Sequence, residues 1–303
     1  MCGRYASSRR PEDLVEEFEI DATEGDGPGA DPGEAGADFN VAPTKLAPVV
    51  LERQPRTLRI ADAADHQPDD PDDPDDPAPV PDEPAMEADP IRWLRLFRWG
   101  LVPSWAKDRS IGNRLINARA ETLLDKPAFR RAAVSRRALV PADGWYEWQA
   151  SPVQKDARGK PRKQPFFMHP ADGSIAAIAA VYELWRDPSR HADDPQAWLA
   201  SYALVTLEAE PGLAVIHDRM PLILPRDRWD AWLDPQERDP DTVRALIQPP
   251  EPGRFAAAPV SPRVNAAANN GPELLDPLPL DQLRGVVDPA TGELIGGGET
   301  PLF

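Results

Sequence analysis

The stretch from Arg137 to Trp148 reads RALVPADGWYEW. Its apolar side chains run together or alternate over short spans, without the three-to-four spacing of an amphipathic helix, so it is read as strand. The same character returns downstream in Pro165–His169 (PFFMH), Ile175–Leu184 (IAAIAAVYEL), Tyr202–Glu208 (YALVTLE) and Met220–Leu224 (MPLIL), and upstream in Val49–Ile60 and Leu94–Val102. Helical spacing is confined to short pieces: Pro11–Ile20, Lys126–Val134, Pro225–Leu233 and Asp239–Ile247. Strands mostly follow strands, which predicts an α+β fold. The expectation is a single domain with a curved, barrel-like mixed or antiparallel β-sheet core flanked by short helices.

Charge is unevenly spread. The 303-residue chain carries a formal charge of −17. Residues 21–38 hold six acids and residues 62–90 hold twelve, with no base in either, and the second contains three tandem Asp-Asp-Pro triplets. Both lack the apolar area that would offset ordering entropy, so they are expected to be disordered acidic insertions in a domain spanning 1–277, with 278–303 as a C-terminal extension. The remainder is mildly basic, and the low overall isoelectric point does not exclude nucleic acid. No apolar run reaches the ~20 residues of a membrane span, and the N-terminus has no secretory signal pattern. The expectation is a cytoplasmic monomer. Cys2 is the sole cysteine, which rules out an intramolecular disulfide and a cysteine-cage zinc site. No metal constellation appears, and the chemistry below calls for no cofactor.

Cys2 stands directly after Met1. Removal of the methionine leaves one residue with both a free amine and a thiol, whose ordinary pKa values of about 8 and 8.5 give each a nucleophilic fraction near neutrality. Such a 1,2-aminothiol condenses with an aldehyde to a Schiff base, and the thiol then closes a thiazolidine ring. Alternatively the thiol attacks an amide, as in an N-terminal-nucleophile hydrolase.

Further segments dense in polar groups among aromatics follow: FNVAPT (Phe39–Thr44), RWGLVPSW (Arg98–Trp105), INARAET (Ile116–Thr122), PADGWYEW (Pro141–Trp148), HDRMPLIL (His217–Leu224) and VSPRVN (Val260–Asn265). With MCGRYA at the start, this ordered set resembles the SOS-response-associated peptidase (SRAP) family, over Met1 to about Pro277. The resemblance implies a protein that recognises abasic sites in single-stranded DNA, captures the ring-opened aldehyde through Cys2 as a thiazolidine crosslink, and removes its own first residue. A thiol peptidase acting on other proteins is the alternative.

Each candidate residue has its own chemistry. Glu147 shares a strand face with Trp145, and burial among aromatics would raise its pKa and suit it to protonating the abasic sugar oxygen. His217 is suited to moving protons between amine, thiol and sugar. Asn117 and Arg119, two apart on an extended segment, face one way: the amide can hold the Cys2 amine or a sugar oxygen, and the guanidinium a phosphate. Arg4 is a second phosphate ligand. Trp99 and Pro43 offer flat surfaces for exposed bases, and Gly100 admits the strand close to the backbone. The resemblance adds Asn40 and Thr206 to the DNA-binding set.

Overall fold

The computed structural model describes residues 2–23, 29–53, 89–191, 194 and 197–296. In chain order these form β1 (Arg4–Ser7), α1 (Pro11–Glu17), β2 (Asp38–Val41), β3 (Leu46–Arg53), β4 (Ile91–Trp99), β5 (Asn117–Arg119), α2 (Arg130–Ser135), β6 (Arg137–Ala142) and β7 (Gly144–Lys155). There follow β8 (Pro161–Pro170), β9 (Ala176–Arg186), β10 (Trp198–Glu208), α3 (Pro211–Ala214), β11 (Arg219–Pro221), α4 (Trp229–Leu233), α5 (Pro240–Leu246), β12 (Phe255–Pro259), β13 (Val286–Val287) and β14 (Leu294–Ile295).

Two sheets carry the molecule. In the first, β10, β4, β3, β6 and β9 are hydrogen-bonded in that order, and β9 pairs back onto β10 from Trp198↔Arg186 to Leu204↔Ala180, closing a five-stranded barrel. Strand β9 is paired on both edges and buried along its length, which accounts for its nearly unbroken apolar run from Ala176 to Tyr182. The second sheet is open, in the order β12-β8-β7-β1-β2. This is the α+β, barrel-like single domain that the strand-after-strand pattern predicts.

RALVPADGWYEW crosses from one sheet to the other. β6 ends at Ala142, the Asp143 amide donates to the Ala6 carbonyl at 2.8 Å, and β7 begins at Gly144 in the open sheet. A Cβ on Gly144 would lie 2.2 Å from the Met168 carbonyl oxygen, so only glycine lets β7 and β8 meet at this corner. Past it, alternation separates two cores. Trp145 faces the large core shared with Cys2, Tyr5 and Trp99, while Tyr146 joins Ala6, Phe167, Val260 and Val264 on the other face.

The first acidic insertion is tied to β4 at two places. The Asp21 and Ala22 amides donate to the Arg92 carbonyl, and Ala30 exchanges two backbone hydrogen bonds with Leu96. Composition misses this because the anchor is mostly backbone pairing with the stretch of the β4 edge that β10 leaves uncovered, and of the insertion's described side chains Ala22 packs against the large core. The second insertion, 62–90, lies outside the described residues except for Asp89 and Pro90. The C-terminal extension packs onto the domain: Leu283 and Val286 are buried in the large core, and the Gln149 side chain both donates to the Val287 carbonyl (2.8 Å) and accepts from its amide (2.7 Å). Among the described residues no helix is long and apolar enough to cross a membrane.

Candidate active site

Strand β1 pairs antiparallel with β7 through Arg4↔Tyr146 and Tyr5↔Trp145. Running that register toward the N-terminus brings Cys2 alongside Glu147 and Trp148. Cys2 is 0% exposed, and its Sγ points at the Arg4 carbonyl oxygen at 3.7 Å. Burial pushes the thiol well above its usual range, and the neighbouring Glu147 charge pushes it further. The resting sulfur is therefore a protonated thiol that needs a base before it can attack.

Asn117 opens β5, which runs parallel to β10 with Leu204↔Asn117 and Thr206↔Arg119 opposed. Its Nδ2 donates to the Cys2 carbonyl oxygen at 2.7 Å. Its Oδ1 is buried and has no hydrogen-bond partner among the described residues. A buried acceptor without a donor is costly, which marks it as an atom waiting for an amine or hydroxyl.

Glu147 is almost fully buried, and burial raises its carboxyl to about 7, with Asp218 adding and Lys163 opposing. A group at that value gives or takes a proton equally well near neutrality. His217 lies two residues before β11, which pairs with β10 on the side of Thr206, so β10 carries Asn117 on one neighbour and His217 beside the other. The Arg219 amide lies 3.0 Å from His217 Nδ1 and donates to it. Burial lowers the His217 pKa, and Asp218, whose Oδ1 lies 2.9 Å from Nδ1, works the other way. Cys2, Asn117 and Glu147, far apart in the chain, thus meet where the open sheet adjoins the barrel, and His217 lies within the reach of the same Asp218 and Lys163 charges that act on Glu147.

A family model, SOS response associated peptidase (SRAP), matches residues 1–267. The chain belongs to this family. Abasic site processing protein YoqW of Bacillus subtilis is 32% identical over 277 residues, covering 91% of this chain and 99% of that one. Abasic site processing protein HMCES of Gallus gallus is 33% identical over 212 residues, covering 62% of this chain and 59% of its own. A solved structure from Bacteroides thetaiotaomicron superposes with a TM-score of 0.64 at 18% identity, over 91% of this chain and all of that one, and shares the fold.

The DNA-binding candidates of this SRAP chain divide by exposure. Arg119 is exposed and forms no ion pair or side-chain hydrogen bond among the described residues. Pro43 is half-buried, at a turn whose next residue, Thr44, donates its amide to the Trp99 carbonyl. Arg4 is half-buried and already engaged: it donates to Asn40 Oδ1 (2.7 Å) and to the carbonyls of Val264 (2.8 Å) and Asn265 (3.3 Å). Asn40 is fully buried, its Nδ2 shared among the Val264, Ala266 and Asn269 carbonyls, so it locks Arg4 and the 262–269 loop in place and does not face solvent.

Three further expectations are corrected by burial. Trp99 is a core residue: its indole donates to the Ile116 carbonyl (2.9 Å), meets Tyr5 edge-to-face and stacks on Tyr202, which leaves no ring face for a base. Gly100, at φ 110°, serves contact between two loops: a Cβ there would lie 2.5 Å from the Gly112 carbonyl oxygen. Thr206 is buried on β10, and its carbonyl accepts from Arg219.

Two residues escaped the sequence reading. Trp105, six residues after Trp99, is 58% exposed. Pro103-Ser104 is the turn signal that could have assigned it to a loop. Arg219, two residues past His217, makes a bidentate pair with Glu121 (2.6 and 2.9 Å) beside Arg119. Its i+2 spacing from His217 was the available cue.

Proposed function

We propose that this chain processes abasic sites in single-stranded DNA by covalent capture through Cys2. Hydrolysis of the Met1–Cys2 peptide bond takes up one water and frees the Cys2 amine. Asn117 keeps that residue in place by its carbonyl, and the bare Asn117 Oδ1 accepts from the new amine or from the sugar.

Glu147, whose burial holds its carboxyl above the usual carboxylate range, gives its proton to the ring oxygen of the abasic sugar as the C1′–O4′ bond breaks, while the C1′ hydroxyl loses its proton to water and becomes the aldehyde carbonyl. The amine adds to C1′, water departs, and a Schiff base remains. The Glu147 carboxylate or His217 then takes the thiol proton, sulfur bonds to the same carbon, and the C=N pair of electrons ends on nitrogen, which receives that proton and becomes the secondary amine of a thiazolidine. No redox partner enters the sequence. Arg119 meets a backbone phosphate, and Trp105 supplies the exposed ring on which a neighbouring base stacks.

The observation that carries this reading is the buried junction of a 1,2-aminothiol residue, a carboxyl poised near 7 and an amide with one idle acceptor. Purified protein is incubated with a single-stranded oligonucleotide bearing one abasic site and resolved under denaturing conditions. A shifted band is expected, absent in Cys2→Ala and formed about 100–10,000-fold more slowly in Glu147→Gln. No band from the wild-type protein, with digestion of casein instead, would replace this reading with the protein-directed peptidase.

A further inference from the structure

Beyond the reaction centre, β7 and β8 continue as a two-stranded hairpin that leaves the domain. Phe166 stands opposite Glu147, and Ala150 opposes Lys163 at the end of the regular ladder before pairing resumes at Lys155↔Pro161. At about 3.3 Å per residue, Lys163 lies roughly 10 Å and the Gly159 turn roughly 20 Å along the strand from Glu147.

The hairpin is strongly cationic. Lys155, Arg158, Lys160, Arg162 and Lys163 are all exposed, and none forms an ion pair among the described residues. The sole acid, Asp156, is spent on the turn itself: its Oδ1 accepts from the Arg158 and Lys160 amides at 2.8 and 3.0 Å, while Gly159 takes the positive φ the turn requires. Residues 149–164 contain no aromatic side chain, so the arm offers charge without a surface for bases.

It is also braced. Gln149, at its root, is buried and bonded at both ends of its amide to Val287 of the C-terminal extension, and Gly285 packs against Ser151 and Val153. A stiff ribbon holding several unpaired cations over about 20 Å fits an extended polyanion, recognised through phosphates independently of sequence. One end of it lies at the site: the Lys163 charge bears on both Glu147 and His217.

We propose that this hairpin is a cationic arm that binds the sugar-phosphate backbone of single-stranded DNA flanking the abasic site. The proposal rests on the single-stranded DNA reading above and extends it to nucleotides that Cys2 never touches.

The test neutralises Lys155, Arg158, Lys160 and Arg162 to Gln together, leaving Lys163 in place because its charge reaches the centre. Binding of an unmodified labelled oligonucleotide of about 16 residues is followed by fluorescence anisotropy between about 50 and 200 mM salt. The neutralised protein is expected to bind about tenfold more weakly at the low-salt end, with a slope of log K against log salt smaller by about 1–2. A variant exchanging Lys for Arg and Arg for Lys at the same positions should retain wild-type binding.

Crosslinking to an abasic oligonucleotide of about five nucleotides, too short to reach the arm's tip, should proceed equally in wild type and neutralised variant. Equal affinities and slopes overturn the arm, as does equal slowing of short and long abasic strands. A wild-type protein that binds DNA through these residues yet captures no abasic site overturns the covalent reading alone.

Discussion

Glu147 places a cost on the fold that the chemistry proposed for it would explain. Its carboxyl titrates near 4.5 in an unfolded chain and at about 7 in the folded one, because burial disfavours the charge. Between those values folding takes up a proton, so stability falls as pH rises from 4.5 to 7 and is flat above. Glu147→Gln does not titrate, and is expected to be more stable than wild type at pH 8 by up to about 3 kcal/mol, with the advantage gone at pH 4. Urea unfolding of both proteins at the two pH values reads this directly. An equal difference at both would mean the carboxyl is not strained by its site. At this scale the candidates Cys2, Asn117, Glu147 and His217 were legible as residues, because they are reactive by type and stand in distinctive local strings. Exposure was not. Trp99 and Trp105 sit in one short segment, and only the long-range stacking of Trp99 between Tyr5 and Tyr202 makes one core and leaves the other outside. Asn40 and Gly100 were misread for the same reason, since their partners lie at Ala266 and Asn269, and at Gly112, far along the chain.

Among the elements, the corner at Asp143-Gly144 decides how the site is assembled, since β7 carries Glu147 into the sheet that holds β1 and Cys2. Gly144→Ala drives a Cβ to 2.2 Å from the Met168 carbonyl oxygen, a backbone atom with little freedom to yield. A cost of about 1–3 kcal/mol is expected, visible as a lower urea midpoint, together with slower capture of abasic DNA because β7 must shift against β1 and β8. An unaltered midpoint would show that the corner relaxes freely. The strands of the barrel were legible from their apolar runs, but the corner was not, because the run continues through it. The outer half of β8, Pro161–Gln164, was missed for the opposite reason: PRKQ has no apolar pattern, and it is held by its ladder with β7 and by Gln164, whose Nε2 donates to the Pro165 and Val260 carbonyls. Helix α1 starts at the predicted Pro11 and stops at Glu17, short of Ile20, where Phe18 closes the turn and Glu19 adopts φ 52°.

Across the whole molecule the arrangement of charge opposes its total. The barrel strands β3 and β4 form one antiparallel pair whose ends, Arg53 and Ile91, stand opposite each other, so the intervening residues 54–90 join two points already adjacent. Residues 61–88 hold eleven acids and no base. Deleting them leaves a connection long enough for a hairpin and shortens the closed loop roughly fourfold, which should stabilise the fold by about 1 kcal/mol. The same deletion removes much of the negative field that an approaching polyanion meets, while leaving Arg119 and the cationic hairpin untouched. Association with single-stranded DNA should therefore be faster than in the full chain at low ionic strength, and the two rates should converge toward about 1 M salt, where the screening length falls to about 3 Å. Stopped-flow binding across a salt series measures this. Equal rates at low salt would mean that the acidic segment and the DNA path are electrostatically separate, and slower association after deletion would mean that the segment assists binding.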